Sequence, residues 1–160
     1  MIRHLMVTNV HGQFNGITGK IHFTPGDIAS LRVDLVIDAS RIITGIQKRD
    51  DHLKSQDFFD VGKYPEITFR STQTERTGFY SCNVWGNLSI HGVTKLLMME
   101  VTVSGPVKSP FGETTIGITG TTSLNREEFG LTWNEAVGKD GLMVGKEASL
   151  MINIEADLVE

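Results

Sequence analysis

Three residues on one short stretch, Arg49, Asp50 and His52, offer the chain's most evident chemistry. On a helix, Arg49 and His52 stand three apart and share a face. A guanidinium beside an imidazole can greet an anionic or quinone headgroup through N–H donors. The same histidine invites a catalytic reading, which would need an adjacent nucleophile and a group to orient the ring. Ser55 follows three residues later on that face, but no oxyanion hole is evident. A solvated or salt-bridged helix face accounts for the same residues, so three readings stand side by side. The other histidines, His4, His11, His22 and His91, form no i, i+4 pair, and no metal site is expected. Cys82 is the single cysteine, which excludes an intrachain disulfide framework; its place in an alternating strand reads as a small buried hydrophobe.

The segment that must position Arg49 and His52 runs from Thr44 to Ser71, where the period-2 pattern of the chain stops. Thr44 and Gln47 have capping-box spacing, so a helix is expected to start there. Ile46 and Leu53 fall on one helical face and the charges of Lys48, Asp51 and Lys54 mostly elsewhere. Asp57 is expected to cap a shorter turn carrying Phe58 and Phe59, with Gly62 ending it. Tyr64-Pro65 then forces extended backbone and a strand begins at Ile67 and Phe69. A short helix with two adjacent aromatics, set between strands, reads as a plug over the end of a sheet or barrel.

Elsewhere the chain alternates. Leu31, Val33, Leu35 and Ile37 interleave with Arg32, Asp34 and Asp38, as a half-buried strand requires. Tyr80, Cys82, Val84, Leu88 and Ile90 follow a turn at Thr77-Gly78; Leu97, Met99, Val101 and Val103 resume after His91-Gly92. Ile116 and Ile118 come after a turn at Ser109–Gly112, and Leu150, Ile152, Ile154, Ala156 and Leu158 close the chain after a loop at 138–141. Pro25-Gly26 suits a type II turn. Asn125–Trp133 has room for a turn or two of helix, and Arg126 there reads as a salt-bridged or backbone-bonding residue. Many alternating strands and one helix mean an antiparallel sandwich or barrel, and a barrel manages so many edges best.

A barrel of that size is either filled by its own side chains or holds one slender ligand. Its inward positions are almost wholly aliphatic, aromatic or sulfur-bearing, a wall that desolvates hydrocarbon but cannot orient a polar substrate. Met98, Met99, Met143 and Met151 suit an irregular tail and core filling equally well. The formal net charge of -4, with charges mixed along the chain, disfavours nucleic acid. No run approaches the ~20 apolar residues of a membrane span, and no signal peptide is visible.

Several motifs in order resemble the YceI-like family of polyisoprenoid-binding proteins. They are Arg3-His4-Leu5-Met6 with Gly12-Gln13-Phe14, then Lys48-Arg49-Asp50, Asp57-Phe58-Phe59-Asp60 and Lys63-Tyr64-Pro65. Gly86–Lys95 and Asn125–Gly130 continue the series, so the resemblance spans essentially the whole chain. It implies one domain over residues 1–160, all-β, an extended antiparallel lipocalin-like barrel with a short helical insertion. It also implies that the first strand is cut short here, since only Met1-Ile2 precede Arg3, which leaves three readings: the true start lies upstream, a second subunit covers the edge, or the barrel is open there.

The function so implied is non-enzymatic: a carrier or store for the tail of an isoprenoid quinone or polyprenyl compound. The expected lining is Phe14, Ile21, Leu35, Ile37, Leu53, Phe58, Phe69, Val84, Leu88, Met99, Val101, Ile118 and Ile152, with headgroup contact at Arg49 and His52. No cofactor is expected beyond the bound isoprenoid lipid. A homodimer, and a cytoplasmic location as written (periplasmic if the start is truncated), complete the expectation. An enzyme working through His52 on a small apolar molecule, and a ligand-free structural barrel, remain the alternatives.

Overall fold

The computed structural model describes residues 1–137 and 141–157. Nine strands form one antiparallel sheet: β1 (Ile2–His4), β2 (Thr8–Val10), β3 (Ile17–Thr24), β4 (Asp27–Asp38), β5 (Glu66–Arg76), β6 (Ser81–Ile90), β7 (Val93–Lys108), β8 (Thr114–Asn125) and β9 (Val144–Asp157). Their order is β2-β1-β9-β8-β7-β6-β5-β4-β3, so most neighbours in sequence are neighbours in the sheet. The sheet curls strongly but remains a half-barrel whose two edges are β2 and β3. The single α-helix among the described residues, α1 (Gln47–Lys54), lies in the long connection between β4 and β5.

The turns set the register. Thr24 pairs with Asp27 across Pro25-Gly26, and Gly26 adopts φ +87°, the left-handed value a type II turn needs at that position. His91 and Gly92 join β6 to β7 with φ +51° and +77°, a type I′ hairpin whose twist matches the strands it connects. On the concave face the alternation packs one cluster, with Leu31, Val84, Ile116 and Phe69 among its most enclosed members. Gly86 lies on that face because a side chain there would collide with the Phe69 ring. Cys82 is buried and unpaired, and burial pushes its thiol pKa up.

Three local expectations change. Tyr80, read as the first inward residue of its strand, is exposed in the turn before β6 and meets Phe79 edge-on, with ring centres 4.8 Å apart. The helix-breaking left-handed residue after α1 is Asp60, at φ +44°, rather than Gly62. Asn125–Phe129 makes only a 3-10 turn, capped by the Asn125 side chain accepting from the Glu127 amide. The 138–140 loop and Leu158 lie outside the described residues.

Candidate functional site

Polar and aromatic side chains gather at the helix end of the half-barrel. Gly45 takes φ +86° and folds the chain back, so Thr44 lies beside the first turns of α1 instead of capping them. Its hydroxyl donates to Asp50 Oδ1 at 2.5 Å and its amide to the same oxygen at 2.8 Å. Arg49 Nε donates to the Thr44 hydroxyl at 2.7 Å and Nη2 to the Thr44 carbonyl at 2.9 Å. The expected capping box therefore does not form: Gln47 donates instead to Asp51, and no side chain caps the helix. Asp50, only 7 % exposed, sits within a compact Arg49–Thr44–Asp50 relay.

That relay also separates Arg49 from His52. The expected Arg–His pair is absent, because Arg49 is committed to Thr44 while His52 Nε2 lies 2.8 Å from Asp57 Oδ2. A carboxylate only accepts, so the Nε2–H of His52 donates to Asp57. Asp57 is thus the partner of His52 and not a cap; Ser55 caps the turn, accepting from the Asp57 amide. The Ser55 hydroxyl donates to the His52 carbonyl, which turns it from the ring it would have to serve as a nucleophile. The imidazole stands edge-on to Phe58 and Trp133, with ring centres 5.1 and 4.7 Å away. Phe59 meets Phe14 edge-on at 5.6 Å, tying the plug to the chain before β3.

Arg126 holds the other side of this end. It is 3 % exposed, and its guanidinium donates to the carbonyls of Gly145, Val144 and Leu131. Burial lowers its pKa, opposed by the nearby Glu127 carboxylate. Of the two roles open in the sequence, backbone bonding is the one taken; Glu127 and Glu128 pair outward with Lys146 and Lys95. Asn134 reinforces the staple by exchanging two hydrogen bonds with the Val144 backbone. Among the described residues no cluster could hold a metal ion.

The expected lining residues fall into groups. Leu35, Phe69, Val84, Leu88, Met99, Val101 and Ile118 are buried in one cluster. Phe14, Ile21, Ile37 and Ile152 pack against it half-buried. Phe58 is buried outside that cluster, under Trp133 and His52, and Leu53 is half-buried on α1. Two clefts, of about 420 and 670 Å³, open toward the hairpin end; the smaller is lined largely by serine, threonine and asparagine and the larger by mixed polar and apolar residues, and they touch the core at Cys82, Val101, Ile118 and Ile154. The apolar inner face itself runs on, half-exposed, to Leu150, Ile152 and Ile154 of β9 and to Ile21 and Phe23 of β3.

Trp133, Asn134 and the burial of Asp50 escape a reading of the sequence. Trp133 stands in a segment without periodicity, and the Thr44–Asp50 contact depends on a fold-back at Gly45. Alternation, by contrast, was enough to find the buried inner face.

Known proteins share this architecture. A Campylobacter jejuni YceI protein superposes with a TM-score of 0.85 at 28 % identity, covering all of this chain and 91 % of that one. Burkholderia cenocepacia BcnA, at 24 % identity, has the same fold, with a TM-score of 0.83 over 95 % of this chain and 91 % of its own. A UPF0312 protein of Pseudomonas savastanoi is 35 % identical over 130 residues, 81 % of this chain and 68 % of that protein. One from Staphylococcus aureus is 32 % identical over 160 residues, 99 % of this chain and 91 % of its own. The model of the YceI-like domain matches residues 1–156, and with the curled sheet and these relatives it shows that the chain belongs to the YceI-like family.

Proposed function

We propose that the protein binds the long apolar tail of a polyisoprenoid or related lipid, such as an isoprenoid quinone or polyprenyl compound, and carries or stores it. The observation that carries this reading is the apolar inner face that continues past the packed core onto half-exposed β9 and β3. A tail laid along Ile21, Phe23, Leu150, Ile152 and Ile154 would rest on the buried cluster as on a floor. Each methylene removed from water contributes ~0.8 kcal/mol, so several isoprene units bind tightly without a polar contact. Family membership supports the same class of ligand. The headgroup stays at the helix end, beside the half-exposed ring of His52. Two copies of the chain form the working unit.

Native mass spectrometry of the freshly purified protein, followed by organic extraction, tests the reading. A discrete added mass that extracts as a polyprenyl compound is expected. A protein that stays ligand-free after incubation with long isoprenoids would overturn it. Ile152→Glu should empty the protein and Lys54→Glu should not. Leu35 and Val101 lie too deep for this comparison, since a charge at either would unfold the core.

A further inference from the structure

The hairpin joining β7 to β8 stands clear of the packed sheet. β7 pairs with β6 only as far as Thr102, opposite Ser81, whereas its pairing with β8 continues to Lys108. Val103 and Ile116 are the last buried residues of the two strands, and residues 104–108 and 110–113 are exposed. At ~3.3 Å per extended residue the arm reaches about 16 Å beyond Val103. Its tip, Ser109-Pro110-Phe111-Gly112, is uncharged. Phe111, at 91 % exposure, is the most exposed large hydrophobic residue among those described, and Val107 behind it is also exposed.

The backbone donors of this tip are all satisfied from within. The Ser109 amide donates to the Glu113 carbonyl at 2.7 Å, and the Gly112 amide to the Ser109 carbonyl at 3.1 Å. The Phe111 amide donates to the Ser109 hydroxyl oxygen at 3.1 Å, and Pro110 has no amide proton. A turn that stays in water has no need of such closure. A turn that leaves water does, because an amide stripped of solvent without a partner is costly. The neighbouring turn carries Phe79 and Tyr80, both exposed, with the Arg76 guanidinium over the Phe79 ring at 5.6 Å. It is set back at the base of the arm, where the Tyr80 carbonyl accepts from the Val103 amide.

We propose that the Phe111 hairpin is a wedge that docks the protein on the surface of a zwitterionic lipid bilayer, with Phe79 and Tyr80 resting at headgroup level. The proposal rests on the lipid-carrier reading, since a carrier of an apolar tail takes its cargo from a bilayer or returns it there. Phe111, Pro110 and Val107 enter the boundary between headgroups and acyl chains, and the Lys108 stem lets its ammonium stay among the phosphates. The 670 Å³ cleft offers the cargo a path: Val107, Lys108 and Pro110 line it at the hairpin, and Ile118 and Ile154 connect it to the inner face. Charge selects the kind of surface. At and beside the strand ends here stand Asp27, Glu75, Glu113, Glu155 and Asp157 against Arg76 and Lys108, so anionic lipid gains nothing and apolar burial drives the contact.

Flotation of the full chain with phosphatidylcholine vesicles free of isoprenoid tests the docking, with circular dichroism to verify folding. The parent chain should float. Phe111→Ser should lower the partition coefficient about tenfold, as the loss of one inserted aromatic requires, and Phe79→Ser should lower it less. Lys54→Glu, at the helix end, should leave it unchanged. Phe111→Trp should keep binding, and its emission should shift to the blue with vesicles by more than that of the parent chain. A parent chain that does not float, a Phe111→Ser chain that floats as the parent does, or binding that needs phosphatidylglycerol would overturn the proposal. So would a vesicle-free oligomer that Phe111→Ser disperses, which would assign the tip to a protein contact. Extraction of bound lipid keeps the two readings apart: a chain that holds a polyprenyl compound but does not float refutes the docking alone, and one that floats but never takes up an isoprenoid refutes the carrier.

Discussion

The two ends of the half-barrel solve the same backbone problem in opposite ways. At the hairpin end, strands reverse in short turns whose polar groups are satisfied locally: Thr77 and Gly78 donate to the Ser81 carbonyl, and Ser109 bonds Glu113. Aromatics are left outside there, Phe79 at 73 % and Phe111 at 91 % exposure. At the helix end, the connection through α1 and residues 126–135 leave the ladder, and their carbonyls and amides need partners from elsewhere. Asp50 and Arg126, the two buried polar or charged residues among those described, both lie at this end and both bond to backbone. Buried charge in this protein marks irregular chain that must be fixed in place.

That contrast is sharpened by truncating side chains at each end and measuring denaturant stability. Arg126→Ala should cost most, about 3 kcal/mol, because three carbonyls near the core lose their donor. Asp50→Ala should cost about 2 kcal/mol, since the Thr44 amide and hydroxyl lose a charged acceptor. At the hairpin end Phe111→Ser should stay within about 0.5 kcal/mol of the parent chain, as expected of an exposed position. Equal losses at the two ends would show that irregular backbone is not what the buried charges serve.

The strands were largely legible, because inward and outward positions alternate and the turn residues at Pro25-Gly26 and His91-Gly92 have the backbone freedom that those turns demand. The helix was found as well, but its cap was not. Thr44 and Gln47 have the spacing of a capping box, yet the hydroxyl was taken by Asp50 and Arg49 once Gly45 reversed the chain. The Arg49–His52 pairing failed for the same reason, and Asp57 exchanged an expected capping role for a bond to His52.

Sequence alone thus determined the quantities that depend on period and on local backbone preference: an antiparallel, curled sheet with an apolar inside and a helical plug. Tertiary structure decided which polar groups meet. A hydroxyl or carboxylate has several partners within reach along the chain, and the one it takes is set by where distant segments pack. It also decided that the apolar inner face of β9 stands half-exposed, since how far side chains are covered depends on the curl of the whole sheet and not on the alternation of one strand.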